Sequence, residues 1–190
     1  QILCAAGFTV VSPAVRGSYG FGKAFEGLND RDLGGDEIVD LFHVARWLEA
    51  KTGLGPARIG VYGRSHGGYA TMRALTFPFE GPRGRRYPFG FGMSDAGFSD
   101  IESFYGATNI PDWVVLESGD PSRPEDRARM RERSALRHVD RLSAPLLLMH
   151  GENDRRVPVV ESRRFVAAAR ASGKPVTYLE VAGQGHRGSE

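Results

Sequence analysis

The stretch RIGVYGRSHGGYATMRAL, residues 58–75, decides how the rest of this chain reads. It opens with a short apolar, β-favouring run (Ile59, Val61, Tyr62) and continues through Gly63-Arg64-Ser65-His66-Gly67 into a helix-compatible segment, about 66–76. A G-x-S-x-G pentapeptide between a strand and a helix is a nucleophile elbow: the serine sits on a tight turn with unusual backbone angles. The flanking glycines are expected to prevent collision there. Glycine makes up 25 of the 190 residues, so the pentapeptide alone is a weak signal and its strand–helix context carries the weight. His66 is next to Ser65, but a sharp elbow points successive side chains apart. Its expected contribution is its backbone N–H, as an oxyanion donor.

Outward from this turn, strands and helices alternate. Residues 8–14 (FTVVSPA) read as a strand broken by Pro13, 57–63 as the strand before Ser65, and 89–96 as a third. Residues 144–151 (APLLLMHG) read as a buried strand and 175–183 as the last one. The spacing predicts a helix over 35–53, with Ile38, Leu41, Phe42, Ala45 and Leu48 on one face, acidic residues in its first turn and Gly53 closing it. A second long helix is predicted over 157–173, and short ones over 99–105 and 124–135 within an otherwise irregular 98–135. Strands joined by helical crossovers predict an α/β fold, a mostly parallel sheet with helices on both faces.

A serine hydroxyl needs a base, and the base needs a partner to fix its tautomer. In the α/β-hydrolase order the acid follows a late strand and the histidine follows the next. Asp154, after 144–151, and His186, after 175–183, occupy those places. Parallel strands bring their C-terminal ends to one edge, so the three loops can converge. The other candidates fit less well. His150 ends a buried strand and reads as a packed core histidine, His43 lies beside the apolar stripe of a helix, and His138 sits in an arginine-rich segment. Glu152 shares the Asp154 loop, whereas Asp100, Asp120 and Asp140 lack a strand-end position. Residues 183–188 (GQGHRG) fit G-x-G-x-x-G, but no helix or acidic residue follows, so no dinucleotide is expected. No metal motif or other cofactor signature is found; the expectation is none.

The bulk composition is compatible with this. Residues are 41% hydrophobic and 25% charged, as in a globular domain, and the formal charge of +2 gives no reason to expect nucleic acid. Arginines cluster at 83, 85 and 86 and at 127, 129, 131 and 133. The second run alternates with Glu125, Asp126 and Glu132, which reads as a solvated helix face. Cys4 is alone, so no disulfide forms within the chain, and no apolar run nears the roughly 20 residues of a membrane span.

Five stretches, RGSYGFGKAF, GGDEIVDLFHVARWL, RIGVYGRSHGGYATMRAL, SALRHVDRLSAPLLLMHGENDRRVPVVES and VAGQGHR, together resemble the catalytic domain of prolyl oligopeptidase family serine peptidases, including the dipeptidyl peptidase IV and acylaminoacyl peptidase branches. The resemblance spans nearly the whole chain in order. It implies an α/β-hydrolase fold, short peptide substrates and an acyl-enzyme, with Ser65 as nucleophile, Asp154 as acid and His186 as base. It also implies that Arg156 binds a substrate carbonyl, and that Val157 and the region Phe98–Tyr105, with Phe98, Ile101, Phe104 and Tyr105, line the pocket for the residue before the cut. Those apolar residues equally suit plain core packing. An esterase acting on small acyl esters, or a binding domain without catalysis, are the alternatives. The family places a second oxyanion donor, often a tyrosine hydroxyl, in a loop that would precede Gln1, and carries an N-terminal β-propeller; neither Tyr19 nor Tyr62 matches that donor. Losing one such donor costs about 10²–10³ in turnover. Residues 1–190 are therefore expected to be an incomplete peptidase domain from a longer protein, one whose self-association is left open.

Overall fold

Four short strands form one sheet in the computed structural model, which describes residues 2–81 and 84–187; Arg83 and Gly188 of the motifs above lie outside them. The strands are β1 (Gly60–Arg64), β2 (Phe91–Asp95), β3 (Leu146–Gly151) and β4 (Val176–Val181), all parallel, in the order β1-β2-β3-β4. The α-helices are α1 (Ile2–Ala5), α2 (Lys23–Glu26), α3 (Asp36–Thr52), α4 (His66–Thr76), α5 (Ile101–Ala107), α6 (Pro111–Ser118), α7 (Pro124–Arg133) and α8 (Val160–Ala171). The architecture is that of the α/β hydrolases: a parallel sheet whose strands are joined by helices.

Helix α3 forms as its pattern predicts. Ile38, Phe42 and Ala45 are buried, Leu41 and Leu48 pack partly against the same core, and Gly53 ends the helix in the left-handed conformation. Alternation along the strands sorts the sheet into two faces. Val61, Leu146 and Leu148 join Met72 and Leu75 of α4, Phe165 and Val166 of α8, and Phe42 of α3 in the main core. On the opposite face Tyr62 and Leu179 are exposed, and Leu3 of α1 with residues 8–11 lies beside Tyr62, Phe91 and Leu147. A second core unites Leu33, Tyr69, Phe98, Ile101, Phe104, Val114, Met130 and Val157. Phe98 stacks between Tyr69 and Phe104, with ring centroids 4.4 and 4.2 Å away.

Two expectations about elements fail. Residues 8–14 form no strand. Their β-branched composition suits one, but a strand exists only as one side of a ladder, and no described segment pairs with them. The segment predicted as irregular contains α6, started by Pro111 at its first position and missed because its apolar residues do not follow a helical period. Among the described residues no helix is long and apolar enough to cross a membrane. The second arginine run is held by carboxylates: Arg127 and Arg131 on Glu102, Arg129 on Asp126, and Arg133 on Asp32.

Candidate active site

Ser65 directly follows β1, at φ 58° and ψ −116°. Its N–H donates to the Asp95 carbonyl at the end of β2 (2.8 Å), and its carbonyl accepts from Tyr69 N–H (3.0 Å), so the turn is fixed from both sides. The glycines that permit this turn are not quite those the pentapeptide suggests. A Cβ on Gly63 would lie 2.3 Å from the Gly67 carbonyl oxygen, and one on Gly68 would lie 2.7 Å from the Asp95 oxygen. A Cβ on Gly67 would meet nothing within 4 Å. The close approaches are made by the first glycine of the motif and by the one after it.

Ser65 is the N-cap of α4, but its side chain does not cap the helix. Its Oγ lies instead 3.1 Å from His186 Nε2, and His186 Nδ1 lies 2.7 Å from Asp154 Oδ2. Asp154 and His186 come from the loops after β3 and β4. Those loops are tied together by Asn153 N–H donating to the Gln184 carbonyl (2.9 Å) and Glu152 N–H to the Val181 carbonyl (3.0 Å). The parallel register puts the ends of β1, β3 and β4 on one edge, and so brings residues 65, 154 and 186 into one chain of contacts.

The Asp154 carboxylate is buried and its oxygens are fully engaged. Oδ1 accepts from the N–H groups of Arg156 (2.9 Å) and Val157 (2.8 Å). Oδ2 faces His186, and also His150 Nε2 at 3.3 Å. Burial opposes ionisation, but the hydrogen bonds from His150, His186 and Val157 outweigh it and hold the carboxyl well below its ordinary range. An ionised acid, an imidazole oriented by it, and a hydroxyl on the other ring nitrogen form a proton path that can activate the hydroxyl. The N–H groups of His66 and Gly67 lie in the first turn of α4, where no preceding turn supplies acceptors, so they are available to a developing negative charge.

The His66 ring turns away from Ser65. Its Nε2 lies 2.9 Å from Glu37 Oε2, in a contact too poorly aligned for a good hydrogen bond, and its ring packs edge-on against Trp113 at 5.5 Å. Glu37 is itself buried and accepts from Gly34 N–H at 2.8 Å. Burial works against the charged imidazole, but Glu37 outweighs it and raises the His66 pKa.

The remaining candidates separate. Arg156 is half-buried and lines a cleft of about 980 Å³ with Asp154, His186, Arg155 and Arg187. Phe98, Ile101, Phe104 and Val157 are buried in the second core, and Tyr105 packs at its margin, half-buried. His43 is exposed, and His138 Nε2 contacts the Glu132 carbonyl, outside the constellation. Two contacts escaped the sequence reading, His150 on Asp154 and Glu37 on His66. Both are set by packing between segments distant in sequence, and the one hint, a histidine four residues before Asp154 at the end of a buried strand, also fits simple core packing.

The sequence pattern of the prolyl oligopeptidase family matches residues 1–190. The chain belongs to the prolyl oligopeptidase family. It is 32% identical over 98% of its length to dipeptidyl aminopeptidase BIII of Pseudoxanthomonas mexicana, covering 27% of that protein. To the human acylamino-acid-releasing enzyme it is 28% identical over 94% of its length, covering 24% of that protein. Among solved structures, a Mycobacterium tuberculosis puromycin-hydrolyzing peptidase superposes with a TM-score of 0.81 at 32% identity, over 90% of this chain and 25% of that one. The chain thus spans about a quarter of the length of these relatives.

Proposed function

We propose that this chain carries the catalytic centre of a serine peptidase acting on short peptides. Ser65 Oγ attacks the scissile carbonyl while His186 Nε2 takes its proton. Asp154 orients His186 through Nδ1 and stabilises its charged form. The His66 N–H helps to hold the oxyanion. His186 then protonates the leaving amine, and water, deprotonated by the same ring, hydrolyses the acyl-enzyme. Arg156, beside the acid, is assigned to a substrate carbonyl. Tyr105, at the margin of the apolar cluster, is assigned to the wall of the pocket before the cut, with Phe98, Ile101 and Val157 as its backing.

The observation that carries this reading is the unbroken path of 3.1 Å and 2.7 Å from Ser65 through His186 to Asp154. Peptides are favoured as substrates by the family to which the chain belongs and by the peptidases among its relatives. In the full-length protein, Ser65→Ala should lower kcat on a short peptide by roughly 10⁵–10⁶-fold and abolish fluorophosphonate labelling. Labelling that survives in that variant would remove Ser65 from the role. A kcat/KM far higher on small acyl esters than on matched peptide amides would favour an esterase, and inertness to both would favour a binding domain.

A further inference from the structure

His150 is completely buried at the end of β3, and both of its ring nitrogens are matched. Nε2 lies 2.8 Å from the Val157 carbonyl oxygen and 3.3 Å from Asp154 Oδ2. Nδ1 lies 2.7 Å from Oγ of Ser162, a buried residue in the first turn of α8. Both neighbours of Nε2 are acceptors, so Nε2 carries a proton. In the neutral ring, Nδ1 then accepts the Ser162 hydroxyl proton, and this fixes the tautomer from behind. Val157 closes the arrangement, because its N–H donates to Asp154 Oδ1 while its carbonyl accepts from His150.

We propose that His150 is a positioning residue for the catalytic acid: its Nε2–H, fixed by Ser162, holds the carbonyl of Val157, whose own N–H donates to Asp154 Oδ1, and the same nitrogen stands 3.3 Å from Asp154 Oδ2, where His186 Nδ1 meets it. A buried histidine with a purely structural role would also satisfy its ring nitrogens; what sets His150 apart is that its contacts converge on the acid, at Oδ2 directly and at Oδ1 through Val157. Without this donor the Val157 carbonyl is left unpaired in the interior and Oδ2 keeps only His186, so the loop that carries the acid is set less firmly against the base. The inference rests on the Ser65–His186–Asp154 reading and adds a fourth side chain to it.

The test uses the full-length protein and three variants: His150→Gln, which can place an amide N–H near the Nε2 position, His150→Phe, which fills the volume without a donor, and Ser162→Ala, which removes the tautomer lock. Measurements are kcat and KM on a chromogenic peptide, the fluorophosphonate labelling rate at Ser65, and the thermal midpoint. His150→Phe should lower kcat about 10–100-fold with KM changed by less than about threefold, as loss of a residue orienting a site group typically does. Labelling should slow in parallel, and His150→Gln should recover most of both. Ser162→Ala should lower kcat several-fold. A folded His150→Phe with wild-type kcat overturns the proposal, as does a His150→Gln no better than His150→Phe at an equal thermal midpoint. If His150→Phe does not fold, unchanged kcat and labelling in Ser162→Ala overturn it. Near-wild-type activity or surviving fluorophosphonate labelling in Ser65→Ala would instead strike the triad reading itself, so the two failures are distinguishable.

Discussion

Ser65 stands where a serine ordinarily caps a helix, yet its hydroxyl faces His186 and the cap goes unmade. The positive φ of 58° that achieves this is one a β-carbon tolerates poorly, and neighbouring backbone must crowd in to hold it. That crowding makes the two glycines of the SHGG run unequal. Gly68→Ala would push a methyl to within 2.7 Å of the Asp95 oxygen and 2.8 Å of Gly97 Cα, so the elbow must shift. It should cost about 2 kcal/mol or more of stability, read from urea unfolding, and slow labelling at Ser65. Gly67→Ala meets open space and should be neutral or stabilising by up to about 1 kcal/mol in the same measurement. His66 gives a pH signature. Its folded pKa is raised above the ordinary 6.5, so its pairing with Glu37 stabilises the fold fully below that pH and is lost as pH rises through the folded value. Glu37→Gln should flatten the fall of the thermal midpoint above pH 6.5, measured by scanning the midpoint from pH 6 to 9.

The elements place the site through their ends. β1, β3 and β4 run the same way, so the loops that follow them share an edge, and α8 secures that edge from below. Glu161, in the first turn of α8, is buried and accepts from Ser99 N–H (2.9 Å), Asp100 N–H (2.9 Å) and Ser99 Oγ (3.2 Å), as well as from Ser103 Oγ. It fastens the start of α5 to the helix that follows the Asp154 loop. Glu161→Leu should destabilise by about 3 kcal/mol, because several buried donors lose their acceptor; a denaturation midpoint equal to wild type would refute this account. At this scale sequence periodicity reads α3 and β3 well, since each has one face or a continuous run committed to the core. It fails at residues 8–14, where apolar β-branched residues have no ladder to join, and at α6, where Val114 is buried and Leu116 exposed.

Across the whole molecule, acid should be the condition that dismantles the site. Burial opposes ionisation of both Asp154 and Asp126, but hydrogen bonds overcome it, from His150 and His186 at one and from Asp120 N–H, Arg129 and Arg31 at the other. Both folded pKa values lie below the ordinary 3.8, so the unfolded chain binds more protons, and the stability these groups contribute above that pH is lost as pH falls through the folded values. Urea midpoints measured from pH 6 to 2.5 should drop steeply below about pH 4, and Asp126→Asn should blunt the drop. The sequence by itself determined the alternation of elements, the elbow at Ser65 and the strand-end positions of Asp154 and His186, because periodicity, glycine spacing and chain order are local or ordinal properties. Only the tertiary structure decided that Gly68 rather than Gly67 leaves no room for a β-carbon, that Glu37 faces the His66 ring, and that His150 lies within 3.3 Å of Asp154. Each of those depends on the distance between segments brought together by packing, and no spacing along the chain encodes such a distance.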